Sequence, residues 1–453
     1  MLQCNILWHC SNQRVFCLST LGLVRYGPLG PSKPQPYGRV MRVGFVVGEF
    51  PLLSETFVVD QMAGLLARGF QVEVVCEKMQ GDHRIDRQSE PMATLLARTR
   101  HWWRWAAVIS KFVQRLPPRL RYKASTVLDI AFARRLNRCD VIVAHFGQNG
   151  ERAAALKKWK VLKPPIITIF HGADVAIPAR QAVLATQYAG LTKHGTLNLP
   201  VNDYFRTMLL EAGLSQASTT VHHMGIDTRE IGYRWESWEG TQLVVTTVCR
   251  LVEKKGVEFA LRALASLKAS QPQLDWRYDI VGDGPLRMNL EKLAVELGLA
   301  GRVTFLGSLP HAEVKRRLRM AHLFLLPSIT ASDGDMEGIP VALMEAMAAG
   351  LIAVSTYHSG IPELIKDGET GLLAPERDIS ALAGKLAWAG EHPTECERIA
   401  LAARRKVEDD FNADVLNERF AQIVTQLATS SPAHEPAGHV GVSEGLADPS
   451  SAG

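Results

Sequence analysis

Short apolar runs rich in Val, Ile and Leu alternate with amphipathic stretches along most of the chain. VGFVVG (43–48), QVEVVC (71–76), VIVAHF (141–146), IITIFHG (166–172) and TLNLPV (196–201) read as strands. Near-continuous apolar runs of this length are what a strand covered on both faces requires. Thr56–Arg68 and NDYFRTMLLEAG, which follows TLNLPV, read as helices. A second series begins near Thr241, with strands at LVVTTVCR (243–250), RYDIV within RYDIVGDGP (277–285), RVTFLG (302–307), LFLLPS (323–328), LIAVST (351–356) and GLLAP (371–375). Helices are expected at GVEFALRALASLKAS (256–270), LRMNLEKLAVELGL and AEVKRRLRMA. Strand and helix in strict alternation predict an α/β fold with parallel sheets and crossover helices. Met224–Gly240 has little periodicity and reads as a linker. The expectation is therefore two tandem Rossmann-like, doubly wound domains, 41–235 and 236–408, with the ligand in the cleft where strand C-termini meet helix N-termini.

The two ends differ from this pattern. VFCLSTLGLV (15–24) is short and apolar, and GPLGPSKPQPYG (27–38) is rich in Pro and Gly. A secretory signal would need an A-x-A-like cleavage site, which is missing, so residues 1–40 read as an extension ahead of a start at Met41. Residues 428–453 are rich in Pro, Gly and Ser and read as a disordered tail.

Composition narrows the class. With 47% hydrophobic and 21% charged residues in 453, the chain is that of a globular protein of more than one domain. A net charge of +5 gives no reason to expect nucleic acid. The charge is unevenly spread: from Pro91 to Leu128 there are eight Lys or Arg and no acid, around His101-Trp102-Trp103-Arg104-Trp105. That stretch (98–123) has two readings, an anionic membrane surface contact or a solvated basic helix with its Trp side chains turned to the core. The seven Cys include no CxxC pair, which argues against zinc and against a disulfide framework and fits a cytoplasmic setting. No apolar run approaches the ~18 residues that span a bilayer.

The chemistry concentrates in a few loops. In DGDMEGIPVALMEAMAAG (333–350), Pro340 suits a helix start and Gly350 its stop. Gly338 removes a side chain where amides at a helix N-terminus can meet an anion or a polyol. Glu345 is a lone carboxylate in an apolar helical run, so it either serves a ligand or pairs with a buried Arg. Glu337 stands eight residues earlier, ~12 Å along a helix axis. That is too far for the paired carboxylates of a retaining glycosidase, about 5–5.5 Å apart. Two acceptors along one extended hydroxyl-rich ligand fit better. In CRLVEKKG (249–256), Arg250 ends a strand and Lys255 opens the next helix; the pair can neutralise a diphosphate or form a solvated basic turn. VGDGPLR supplies Gly282 and Gly284 but has Arg287 where a dinucleotide fingerprint needs its third Gly. In the first half, Ser54 and Glu55 can cap a helix, and His171 follows a strand directly, with Gly172 and Asp174 behind it. His145 is placed similarly and reads as structural. No cluster has metal-ligand spacing, so no bound metal and no cofactor are expected.

Together, Glu337 and Glu345 with GIP between them and EAMAAG after, RLVEKKG, IVGDGPLR and GIPELIKDGETGLLAP (360–375) resemble the family-4 retaining glycosyltransferases of the GT-B fold. GEFPLLSETF, HFG, FHGADV and HHMGID resemble its exopolysaccharide subgroup, which includes enzymes of colanic acid and amylovoran assembly. The likeness runs from about Met41 to Leu427. It implies a nucleotide-sugar donor, UDP-linked by analogy, and a growing lipid-linked oligosaccharide acceptor at the inner face of the cytoplasmic membrane. Arg250 and Lys255 would hold the donor diphosphate, Glu345 the ribose, and Glu337 with Gly338, Ile339, Pro340 and Val341 the transferred sugar. His171 would reach that sugar from the opposite domain. Gly282, Gly284 and Ser54 would border the donor, and a last helix (409–427) would cross back onto the first domain. The family's usual account is a metal-independent front-face displacement with retention. Two other classes stay open: a nicotinamide-dependent oxidoreductase, which the broken glycine fingerprint disfavours, and a non-catalytic sugar-nucleotide-binding subunit.

Overall fold

The computed structural model describes residues 40–52, 56–79, 90–101, 130, 133–176 and 184–430. Among them, twelve strands form two six-stranded sheets in which every strand pair is parallel. The first sheet contains β1 (Arg42–Phe50), β2 (Gln71–Met79), β3 (Thr99–His101), β4 (Val141–His145), β5 (Ile166–Phe170) and β6 (Leu197–Pro200), in the order β3-β2-β1-β4-β5-β6. The second contains β7 (Leu243–Val248), β8 (Trp276–Val281), β9 (Val303–Gly307), β10 (Leu323–Leu325), β11 (Ile352–Thr356) and β12 (Leu372–Ala374), in the order β12-β11-β10-β7-β8-β9. Both orders are that of a doubly wound Rossmann sheet, and each reverses at one point: between β1 and β4, and between β7 and β10. The loops that leave those four strands open into a crevice.

The strands are apolar because helices cover both faces. Val43, Phe45, Val74, Val143 and Ile167 have no exposed surface in the first sheet, nor have Val245, Ile280, Leu325 and Ile352 in the second. Register follows from this double burial: Val43 lies opposite both Val72 and Val141, and Leu323 opposite both Val245 and Ile352. Helix starts are set by side-chain caps. Asn202 accepts from the Phe205 amide at 2.7 Å to open Asp203–Glu211, and Asp378 from Ala381 at 2.9 Å to open Ile379–Glu391.

Several local expectations change. LFLLPS is a strand only over Leu323–Leu325, after which the chain turns into the loop that carries Asp333–Glu337. Pro340 is not in the first helical turn but just outside it, with extended ψ of 123°, and its carbonyl accepts from Leu343 at 3.0 Å. The basic stretch does not behave as one element: Arg98 ends a helix and Thr99–His101 is an edge strand, while 102–129 lie outside the described residues. The run 409–427 is broken at Phe411–Asn412, because Asn412 accepts from the Asp414 amide at 2.9 Å and starts a new helix, Ala413–Thr429. That helix includes Ala428, which is buried, so the tail starts later than residue 428. Residues 1–39 and 431–453 lie outside the described residues.

The helix Ala413–Thr429 packs on the first sheet's core, where Phe420 and Val424 join Val58, Met62 and Leu65. Arg68 fixes its register through Asp414 at 2.8 Å and Glu418 at 2.9 Å. The linker is held rather than free. Arg404 donates to the carbonyls of Ile231 and Ala348, both at 2.7 Å, and of Thr228 at 3.2 Å. The buried Trp238 donates its indole N–H to the Gly390 carbonyl at 3.1 Å. Phe420 has no exposed surface. Phe420→Ala is expected to cost about 3–5 kcal/mol, read as a lowered midpoint in chemical denaturation; an unchanged midpoint would refute this docking.

Candidate active site

The crevice between β7 and β10 gathers the charged groups. After β7 the chain makes a short 3₁₀ turn, Glu253–Lys255, and Gly256 follows at φ +66°. A Cβ on Gly256 would collide with the Pro327 carbonyl, so only glycine lets the turn lie beneath the loop that leaves β10. Three hydrogen bonds fasten them: Ile329 N to Lys254 O at 2.9 Å, and Ser332 N and Oγ to the Glu253 carboxylate at 2.9 and 2.7 Å. The two lysines then meet the acids of the loop. Lys255 Nζ donates to Glu337 Oε2 at 2.9 Å. Lys254 Nζ lies 3.0 Å from Asp335 Oδ2 and 3.6 Å from Glu337 Oε1.

Glu337 is only 8% exposed and the Lys255 side chain 16%, so the ion pair is largely shielded from water. Burial alone would raise its carboxyl pKa, but Lys255 and Lys254 outweigh that and hold it below the usual range. Burial likewise works against the Lys255 charge, and Glu337 overcomes it, so that ammonium is held above its usual range. From behind, the Glu337 amide donates to Nε2 of the fully buried His358 at 3.1 Å, and His358 Nδ1 meets Glu376 Oε1 at 2.6 Å. Beyond this point Gly338, Ile339 and Pro340 lead into the helix Val341–Ala349, whose first amides have no acceptor within the helix.

The first half supplies two imidazoles. His145 ends β4 and His171 follows β5, with His145 Nδ1 and His171 Nε2 3.0 Å apart and the rings stacked. Phe57 and Phe146 flank His171 at ring-centroid distances of 4.6 and 4.8 Å. Burial lowers His145 to about 3; burial, then His145, puts His171 well below its usual value. Both rings are therefore neutral near pH 7, donors and acceptors rather than cations. The turn behind His171 is set by Asp174, which accepts from the amides of Gly147, His171 and Gly172 at 2.9, 3.1 and 2.8 Å. Burial raises the Asp174 carboxyl and these three amides partly offset it.

The two halves meet at glycines. A Cβ on Gly338 would lie 3.2 Å from the His171 carbonyl oxygen and 3.2 Å from Val201 Cγ2, and one on Gly172 would lie 3.5 Å from Met336 O. The loop carrying Glu337 therefore touches the backbone of the His171 turn. Of the residues singled out in the sequence, Lys255, Glu337, Gly338 and His171 come together here. Arg250 stands exposed just past β7, with no hydrogen bond or ion pair of its side chain among the described residues. Gly282 (φ +131°) and Gly284 press on the backbone: a Cβ there would collide with the carbonyls of Cys249 and Leu251. They hold the turn that bears Arg250. Glu345 is half-buried and has neither an arginine partner nor a hydrogen bond among the described residues. It lines a pocket with His311, Val314 and Lys315; burial raises its carboxyl and Lys315 lowers it. Ser54 lies outside the described residues.

Sequence reading missed Lys254, Asp335, His358 and Glu376. Lys254 was in view beside Lys255. Asp335 was in view two residues before Glu337; His358 and Glu376 reach the site by loop packing that leaves no periodic trace. Asp174 was noticed, but its three amide bonds were not foreseeable.

Two family models cover the chain between them: Glycosyltransferase Family 4 over residues 54–230 and Glycosyl transferases group 1 over 234–406. The Escherichia coli K12 protein named as the colanic acid biosynthesis glycosyltransferase WcaL is 38% identical over 416 residues, covering 85% of this chain and all of the relative. The amylovoran biosynthesis glycosyltransferase AmsK of Erwinia amylovora is 34% identical, with 86% of this chain and all of the relative covered. Among solved structures, Anabaena Alr3699/HepE in complex with UDP superposes with a TM-score of 0.68 at 19% identity, over 85% of this chain and all of the other. The chain belongs to the family-4 glycosyltransferases, and its two Rossmann-like domains are the GT-B fold. The oxidoreductase alternative is set aside by that membership.

The ion pair makes a pH prediction. Glu337 has its carboxyl pKa lowered on folding, so its contribution is present above the ordinary value of 4.5 and is lost as pH falls through the lower folded value. Stability of the wild type should fall more steeply below pH 4.5 than that of Glu337→Gln. Equal slopes in acid denaturation would contradict the pairing.

Proposed function

We propose that this glycosyltransferase moves a hexosyl unit from a UDP-sugar to a growing lipid-linked oligosaccharide in exopolysaccharide assembly, with retention and without a metal. The observation that carries the reading is the shielded Lys255–Glu337 pair at a helix N-terminus, facing the His171 turn of the other domain. The names of WcaL and AmsK support the pathway class, and the HepE complexes with UDP and UDP-glucose make UDP the first nucleotide to try.

Roles follow from charge and position. Lys255 and the exposed Arg250 bind the donor diphosphate and stabilise the charge that develops on the leaving group. Glu345, short of a partner, accepts from the ribose hydroxyls. Glu337 and the amides of Gly338, Ile339 and Val341 bind the transferred sugar. His171 donates or accepts a hydrogen bond to that sugar as a neutral ring. Glu337 Oε2 is hydrogen-bonded to Lys255, and Lys254 lies 3.6 Å from Oε1; this cationic pairing argues against use of the carboxylate as a covalent nucleophile. Front-face displacement remains: the bond from the anomeric carbon to the diphosphate breaks as the acceptor oxygen attacks the same face, and a diphosphate oxygen takes the acceptor's proton. Closure of the cleft keeps water from competing for the donor.

Lys255→Ala should cut transfer from the cognate donor by about a hundred-fold or more. Undiminished transfer would sink the role of Lys255, and no turnover by the wild type with any UDP- or GDP-sugar would favour a non-catalytic binding subunit. In thermal shift, UDP at a hundred times its Kd should stabilise the protein by about 2.7 kcal/mol and GDP should not; the reverse would reassign the donor.

The basic, Trp-bearing stretch 98–123 supports a peripheral position on an anionic membrane face, where the lipid-linked acceptor would lie. No helix among the described residues is long and apolar enough to cross a membrane. Replacing Trp102, Trp103 and Trp105 by Ala should weaken binding to vesicles containing phosphatidylglycerol; unaltered affinity would remove the membrane contact.

A further inference from the structure

We infer that His358 is a positioning residue: it fixes the backbone of Glu337 from behind, so that the loop from Glu337 to Val341 is set before any donor arrives. The chemistry lies in the direction of its two hydrogen bonds. The Glu337 amide can only donate, so His358 Nε2, 3.1 Å away, must accept. The ring proton then sits on Nδ1, which donates to Glu376 Oε1 at 2.6 Å. The other Glu376 oxygen accepts from the Thr330 amide at 2.9 Å. His358 has no exposed surface, so water supplies none of these bonds.

The chain of carboxylate, imidazole and amide crosses three neighbouring strand ends. Glu376 lies two residues past β12, His358 two residues past β11, and Thr330 and Glu337 in the loop after β10. Glu337 is thereby held at two points, its amide by His358 and its carboxylate by Lys255 and Lys254. Lys254 Nζ holds the carbonyl edge of the same peptide through Met336 O at 3.3 Å, but without His358 its N–H edge would keep the freedom to tilt. A side chain that accepts at one end and donates at the other removes that freedom, and a neutral imidazole does both. A loop that must present several amides to one sugar gains most from such support, because a shift of about 1 Å can cost on the order of a hundred-fold in rate.

This role depends on reading Glu337 to Val341 as the sugar-binding loop, and the experiment separates the two. Full-length wild type, His358→Gln and His358→Leu are compared. Gln keeps an acceptor where Nε2 was; Leu keeps bulk and loses it. In ¹⁵N-histidine spectra of the wild type, the resonance lost in both variants should report an unprotonated Nε2. Hydrogen exchange at the Glu337 amide should be slow in the wild type and in His358→Gln and fast in His358→Leu. With UDP-glucose or whichever donor the wild type uses, His358→Leu should lose about a hundred-fold in kcat with UDP affinity unchanged, and His358→Gln should recover about ten-fold of that loss. A protonated Nε2, or unchanged exchange and kcat in His358→Leu, would overturn the role. So would equal loss in both variants. Should His358→Leu fail to fold, the wild-type tautomer and the His358→Gln exchange decide the matter. Should the wild type transfer no sugar, the sugar-binding reading fails while the tautomer and exchange still test His358.

Discussion

The Lys255–Glu337 ion pair is the constraint around which the second domain's crevice is arranged. Each of the two charges is costly in a site this shielded, and each is tolerable because the other is 2.9 Å away. Keeping them together demands that the turn after β7 lie directly beneath the loop after β10. That demand explains glycine at position 256, the hydrogen bonds from Ile329 and Ser332, and the acids placed over Lys254. It also explains why the pair occurs at the point where strand order reverses, since only there do two neighbouring strands send their loops apart and leave room for buried charge.

The first domain answers with two uncharged imidazoles. Its two imidazoles share a hydrogen bond and are kept uncharged by burial, and Asp174 spends its oxygens on three amides. Ionic chemistry is therefore concentrated on one wall of the cleft and uncharged hydrogen bonding on the other. Such a division suits a ligand with an anionic end and a hydroxylated end. The contact of Gly338 with the His171 turn brings the walls within one side chain of each other.

Domain arrangement rests on a few ties that recur across the molecule. Arg404 gathers three carbonyls from the linker and the helix Val341–Ala349, and Arg68 draws the helix Ala413–Thr429 onto the first sheet. Glu363, from the second domain, accepts from the Asp203 amide and meets His223, just ahead of the linker, each at 2.8 Å. The helix Ala413–Thr429 thus completes the core that β1 begins, the last helix and first strand among the described residues.

Much of this was legible along the sequence. Apolar runs of strand length separated by helical spacing fix two parallel sheets, because a strand buried on both faces has no polar face to show. Lys255 and Glu337 stood out as charges at a strand exit and a helix entrance, and Gly350 as a helix stop. What sequence could not supply were contacts between segments far apart in the chain. Glu337 is 82 residues from Lys255 and 21 from His358, and no local period encodes either distance. Thr99–His101 was missed because three residues carry no pattern of their own and become a strand only when β2 offers an edge. Pattern determines which faces are buried; which buried groups then face each other is decided by the packing of loops, where direction and not spacing sets the hydrogen bond.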